Sequence, residues 1–354
     1  MPPAAPGAAS AAERAGDALE VSITDVEDAA RRLQGRIVRT PLLRVERLEP
    51  RLGRRVWMKC ENLQRGGSFK LRGATNAIRA LPADRAARGV AAHSSGNHAV
   101  AVALAARDRG VPATLVVPED APLAKTSLVE AAGARLVRCA PTLAARVQTL
   151  AGIVAETGAV EIHPYDDPLV IAGAGTAALE ICADLAEPPG CVVVPVGGGG
   201  LASGTAVTLA ARSPGTRLWG AEPAAVDDAA RSLASGRLVG HDGTSIADGL
   251  LTTLSPRTFE ILSRHLDRVV TVGEDEILAA MRLAAEAAGL VIEPSAAVAL
   301  AAVRAAGGDL PPGDVVILLT GRNVAHGLLR RALGRRRRDR VSEGGLEPPP
   351  PCGD

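Results

Sequence analysis

Short runs rich in β-branched residues alternate along this chain with Ala-rich stretches of helical length, and this alternation restricts the fold more than any other feature. Strands are expected over 56–60, 89–92, 114–117, 135–138, 159–162, 191–196, 218–221, 268–272 and 315–319. Helices are expected over 70–81, 96–109, 122–132, 143–156, 176–185, 202–211, 274–288 and 295–306. Thr24 and Glu27 have capping-box spacing and open an earlier helix. Strands separated by helices of about 10–15 residues make parallel βαβ units. The expectation is an α/β protein with helices on both faces of its sheets.

The 354 residues suit two domains at about 100–200 residues each. Residues 1–18 are Ala/Pro/Gly-rich and aperiodic. Residues 335–354 run from arginines into Ser342-Glu343-Gly344-Gly345 and four prolines. Both are expected to be disordered.

Composition removes several classes of function. Seven arginines and one aspartate between Arg330 and Arg340 supply +6 of a net +1, so the rest of the chain carries −5. With only two Phe, two Trp and one Tyr, there is neither a basic face nor a stacking platform for nucleic acid. The five cysteines (Cys60, Cys139, Cys182, Cys191, Cys352) form no Cys-x-x-Cys pair, which argues against a zinc cluster or disulfide scaffold and fits a reducing, cytoplasmic setting. The N-terminus lacks a secretory pattern, and no apolar run nears the roughly 20 residues of a membrane helix. No nucleic-acid or membrane partner is expected.

The chain holds three lysines against 37 arginines, and only four asparagines. Composition this biased makes each surviving Lys or Asn informative. Lys70 stands where a Gly-containing loop follows a strand and opens a helix. The helix macrodipole, with Arg65 and Arg72 nearby, would disfavour an ammonium there and leave a nucleophilic amine. Arginine cannot take that role, because it stays protonated and forms no imine. A lysine at a helix start is also a common surface residue.

Three further loops follow expected strands. Val192-Val193-Val194-Pro195-Val196 runs into Gly197-Gly198-Gly199-Gly200 and then a helix. Such a loop frees backbone amides for a phosphate, although a structural turn also uses glycine. It lacks the Gly-Lys-Ser/Thr of a P-loop, and Glu222 lies near the spacing of a dinucleotide fold without a clear strand-end context. His93-Ser94-Ser95-Gly96-Asn97-His98 offers small donors for a ligand's oxygens, with His98 read as a structural group. Leu318-Leu319-Thr320-Gly321-Arg322-Asn323 ends the last strand. Ligands bind at the carboxyl ends of doubly wound sheets, so four such loops on one edge would make a site.

Ser68-Phe69-Lys70-Leu71-Arg72-Gly73-Ala74, Ser94-Ser95-Gly96-Asn97-His98, Gly197 to Leu201, Glu293-Pro294-Ser295 and Thr320-Gly321-Arg322-Asn323 occur in this order over about residues 21–333. The set resembles the fold-type II pyridoxal-phosphate enzymes, and within them the serine/threonine dehydratase (threonine ammonia-lyase) and serine racemase family. Sister cysteine and cystathionine synthases typically carry threonine where His98 stands, which favours elimination over β-replacement.

The resemblance implies two three-layer open-sheet domains of the tryptophan synthase β type. The small one (89–161) would be inserted into the large one (19–88 and 162–334), with pyridoxal 5′-phosphate in the cleft. Lys70 would hold the cofactor covalently and then shuttle the Cα proton. Gly197, Gly198, Gly199, Gly200 and Leu201 would cradle its phosphate. Asn97 would meet the 3′-hydroxyl, Phe69 and Glu293 would lie by the ring, and Thr320 would meet the pyridine nitrogen. Ser94, Ser95 and Gly96 would hold the substrate carboxylate.

The implied reaction is dehydration and deamination of L-threonine or L-serine to a 2-oxo acid and ammonia. Serine racemase is the alternative, with Ser95 as the acid/base opposite Lys70. A dehydratase for a bulkier 3-hydroxy amino acid is a further one, because Arg322 puts bulk and charge where the family usually has glycine. Glu222 and Asp228 are similar to the Mg²⁺ or Ca²⁺ site of serine racemases, although an acidic helix start fits them as well. A homodimer or homotetramer is implied. The regulatory extension of biosynthetic threonine dehydratases is not seen after Leu333, so isoleucine feedback is not expected.

Overall fold

The computed structural model describes residues 21–334 apart from Ser95 and Pro122, so the expected tails 1–18 and 335–354 lie outside the described residues. Ten strands form: β1 (Leu42–Arg44), β2 (Val56–Lys59), β3 (Val90–His93), β4 (Ala113–Pro118), β5 (Arg135–Cys139), β6 (Val160–Glu161), β7 (Cys191–Pro195), β8 (Arg217–Pro223), β9 (Arg268–Val272) and β10 (Val315–Leu318). They make a six-stranded sheet in the order β1-β2-β10-β7-β8-β9 and a four-stranded sheet in the order β5-β4-β3-β6. Every pairing is parallel except β1 with β2. β7 and β10 are wholly buried, as strands covered by helices on both faces must be. β10 lies between β2 and β7, which brings the carboxyl ends of three distant strands side by side.

The four-stranded sheet uses only strands from 90 to 161, whereas its core does not stop there. Leu71, Ala74, Ala77 and Ile78 of the Lys70–Ala80 helix share one apolar cluster with Val90, Ala92, Leu115 and the Asn97–Arg109 helix. The helix that begins at Lys70 therefore packs against the smaller sheet's layer.

Close helix packing explains one misread element. The helix expected over 176–185 begins at Pro168, with Asp167 as its N-cap, and runs to Asp184. Gly173 and Gly175 argue against helix in sequence, yet here they serve contact. A Cβ on Gly173 would lie 2.8 Å from Gly73 Cα, and one on Gly175 would lie 2.8 Å from the Gly204 carbonyl oxygen. The first helix (Ile23–Leu33) is also capped differently. Its capping box is Ser22 with Asp25, the same pattern two residues earlier, while Glu27 pairs with Arg212.

Beneath the start of the Lys70–Ala80 helix sits a buried ion cluster. Arg72 donates to both Glu61 oxygens (2.8 and 2.7 Å), to both Glu180 oxygens (2.7 and 2.8 Å) and to Thr176 Oγ1 (3.0 Å). Lys59 Nζ donates to Glu180 (2.6 Å) and to the Thr40 carbonyl (2.7 Å). Two cations thus face two anions, and removing one leaves a buried charge uncompensated. Arg72→Met is expected to destabilise the fold by about 3–5 kcal/mol, read as a lowered denaturation midpoint. An unchanged midpoint would show that the cluster is not closed to water.

Candidate active site

Lys70 opens its helix half-buried, its Nζ donating to the Pro164 carbonyl at 2.8 Å and lying 5.1 Å from the centroid of the Phe69 ring. Burial lowers its pKa to about 8, partly opposed by the Glu293 carboxylate. The two arginines expected to depress it are spent elsewhere. Arg72 is neutralised by Glu61 and Glu180, and Arg65 pairs with Asp108 at 2.7 Å and with the Arg36 carbonyl. Desolvation, not neighbouring cations, lowers the pKa of this amine.

The segment carrying Lys70 is stitched to the end of β10. Phe69 N donates to Thr320 O (3.0 Å), Arg322 N to Gly67 O (2.9 Å) and Asn62 N to Leu319 O (2.8 Å), while Ser68 bridges Gly321. Thr320 is buried beside this seam. Arg322, expected to place bulk and charge beside the cofactor, commits its guanidinium to the Asn62 carbonyl at 2.6 Å, so its charge is engaged at the turn after β2.

β7 is followed by the glycine loop, whose five residues Gly197 to Leu201 are all buried. The amides of Gly197, Gly198, Gly199, Gly200 and Leu201 have no hydrogen-bond acceptor among the described residues. Gly199 has a φ of 85°, and the Gly200–Arg212 helix starts directly after it. A Cβ on Gly198 would overlap the Tyr165 ring, and one on Gly200 would lie 2.9 Å from Tyr165 Cα. This row of free donors at a helix start fits a phosphate. Tyr165, the single tyrosine, stacks edge-on against His163 (ring centroids 4.8 Å apart). It went unrecognised in sequence, although its rarity was a usable signal.

The remaining loop follows β3, in the other sheet. The four loops thus lie on the carboxyl ends of two sheets, three on adjacent strands of one and the fourth across from them, instead of on a single edge. Ser94 Oγ accepts from Gly96 N at 3.2 Å, and a side chain on Gly96 would meet open space. Ser95 lies outside the described residues. Asn97 starts the Asn97–Arg109 helix and donates to Glu293 at 2.8 Å, while Glu293 makes no side-chain cap bond to the helix it precedes. His98 is buried with Nε2 against the Ile162 carbonyl at 2.7 Å; burial lowers its pKa to about 3, so it stays neutral.

Glu222 and Asp228 lie apart, at the end of β8. Glu222 accepts from the Ala229 and Ala230 amides (3.0 and 2.9 Å), and burial raises its pKa to about 8. Both oxygens of Asp228 are buried without a hydrogen-bond partner, with His241 Nε2 3.7 Å from one of them. Orphaned carboxylate oxygens fit a hard cation, and these two side chains would hold it. No group of three or more His, Cys, Asp or Glu placed to hold a metal ion occurs among the described residues. No described helix is long and apolar enough to cross a membrane.

Comparison with known proteins agrees with this geometry. The family model described as pyridoxal-phosphate dependent enzyme matches residues 33–321. Serine racemase of Dictyostelium discoideum is 42% identical over 286 residues, covering 80% of this chain and 88% of that one. Beta-hydroxyaspartate dehydratase of Paracoccus denitrificans is 41% identical over 301 residues, covering 85% and 95%. A solved threonine deaminase from T.th. superposes with a TM-score of 0.82 at 44% identity, covering 86% and 99%. The chain belongs to the pyridoxal-phosphate-dependent enzymes of fold type II.

Two measurements probe the site. In apoprotein, acylation of Lys70 followed by mass spectrometry should rise with pH through a midpoint near 8, because the unreactive ammonium prevails below it. A midpoint near the ordinary lysine value of 10.5 would show a fully solvated amine. Gly198→Ala should weaken pyridoxal phosphate binding about 5- to 100-fold through overpacking against Tyr165. Tyr165→Ala in the same chain should recover part of the loss, and no recovery would contradict the contact.

Proposed function

We propose that this protein is a 3-hydroxy amino acid ammonia-lyase that converts L-threonine or L-serine to a 2-oxo acid and ammonia. The observation that carries the reading is the amine of Lys70, its pKa lowered by burial to about 8 and its Nζ held by the Pro164 carbonyl, next in the chain to Tyr165, whose ring fills the space that a side chain on Gly198 of the glycine loop would take. Pyridoxal phosphate supplies the electron sink when bound. Lys70 would take the Cα proton and return it to the departing 3-hydroxyl or to solvent. Gly197 to Leu201 would hold the phosphate by their amides, and Ser94 with Gly96 would orient the substrate carboxylate. Thr320 would offer the pyridine nitrogen a hydroxyl and no carboxylate, which would favour elimination. Glu222 and Asp228 would bind a structural Mg²⁺ or Ca²⁺.

A second reading extends the substrate to one with a carboxylate on Cβ. Arg146, in the Leu143–Thr157 helix, has a buried Nε without a hydrogen-bond partner, and its charge is felt by His93 at the end of β3. The similarity to a beta-hydroxyaspartate dehydratase supports the same extension.

The test is an assay of 2-oxo acid and ammonia over L-threonine, L-serine and 3-hydroxyaspartate, with chiral analysis of residual serine. Equal yields of oxo acid and ammonia from threonine or serine, abolished in Lys70→Ala, are expected. Arg146→Met should reduce 3-hydroxyaspartate turnover about 10- to 150-fold, the value of a charge-assisted bond, and leave serine turnover nearly unchanged. D-serine accumulating without matching pyruvate would replace the lyase by a racemase.

A further inference from the structure

Asn97 and Asn323, from strand-end loops of the two different sheets, form a row with fixed polarity. Asn323 Nδ2 donates one hydrogen to the Gly66 carbonyl (2.8 Å) and the other to Asn97 Oδ1 (2.8 Å). Asn97 Nδ2 then donates to Glu293 Oε1 (2.8 Å). The backbone N of Asn323 donates to Glu293 Oε2 (3.1 Å), and Glu293 N donates to Gly321 O (2.9 Å). A backbone carbonyl closes one end of the row and a buried carboxylate closes the other. Both are acceptors only, so neither amide can reverse without setting oxygen against oxygen.

The surroundings are cut to this row. A Cβ on Gly67 would overlap the Asn323 carboxamide, and one on Gly321 would overlap the Glu293 carboxylate. The row also joins the two sheets: Asn323 follows β10 of the six-stranded sheet, and Asn97 begins the helix after β3 of the four-stranded one.

We infer that Asn323 is a positioning residue that fixes the orientation of the Asn97 carboxamide and so leaves the second Asn97 N–H as a donor for an oxygen of the bound cofactor. The inference rests on the reading that the cleft takes pyridoxal phosphate with Asn97 as a contact. Asn323 acts through Asn97, from outside the reacting atoms. An aspartate at 323 has the same shape and no donor. It would turn lone pairs on the Gly66 carbonyl and on Asn97 Oδ1, and an answering flip of Asn97 would put its oxygen against Glu293. No orientation of Asn97 then satisfies both neighbours.

The experiment is a double-mutant cycle on the full chain, with pyridoxal phosphate as the probe. Asn323→Asp, Asn323→Ala, Asn97→Ala and the combined variants are titrated by visible absorbance, and their apoprotein melting temperatures are recorded. Asn323→Asp should weaken binding about 5- to 150-fold and displace the absorbance maximum, a readout that a purely structural role leaves in place. In the Asn97→Ala background the same change should add less than about twofold, because the group it orients is gone. Asn323→Ala, which removes the donors without adding charge, should show the same dependence on Asn97. Equal losses in both backgrounds, or a wild-type affinity and maximum in Asn323→Asp, would overturn the inference. A wild-type protein with no Lys70-dependent absorbance band would instead sink the cofactor reading, and this inference with it.

Discussion

The site depends on a primary amine drawn partly out of water. An ammonium buried without a carboxylate in contact loses hydration that a single carbonyl cannot replace, so part of the population gives up its proton. Lys70 meets this condition because the chain around it is pinned on three sides: to β10 by the Ser68–Gly321 seam, to the Pro164 carbonyl, and to the core by its own helix. A charged partner in contact would have raised the pKa and quenched the amine. Glu293, the nearby carboxylate, is instead occupied by Asn97 and Asn323.

The same economy of charge appears just below. Arg72 stands two residues from Lys70 and would repel its proton if left unpaired. Glu61 and Glu180 absorb that charge in a closed cluster, which also anchors the first helical turn. The two sheets divide the remaining work. β2, β10 and β7 present the lysine, the Thr320 loop and the glycine loop side by side, while β3, of the other sheet, brings Ser94 and Asn97. An amino acid held there would touch groups from both sheets, as a reaction shielded from water requires.

Much of this was legible in the chain. Alternating periods gave the parallel α/β class, and the scarcity of Lys and Asn singled out Lys70 and Asn97. The four chemistry-bearing loops were found because each follows a strand. What escaped depends on contacts that no local pattern encodes. Gly173 and Gly175 read as helix breakers, since the partners that need their missing side chains, Gly73 and Gly204, lie about 30 residues or more away. The origin of the Lys70 shift was misassigned for the same reason: a sequence shows that arginines are near, not that they are already neutralised. Arg322 was read only as bulk and charge in place of a glycine, and the bond of its guanidinium to the Asn62 carbonyl, 260 residues away, had no local signal. Tyr165 and Asn323 are also of rare types, one Tyr and four Asn beside three Lys, and rarity without a place in the fold did not reveal what they touch.

These features would serve one covalent attachment, and trapping it is the most direct test. Protein reconstituted with pyridoxal phosphate, reduced with borohydride and digested should yield one pyridoxyl-labelled peptide, with the label on Lys70. A label on Lys59 or Lys125, or no label on any lysine, would contradict the account.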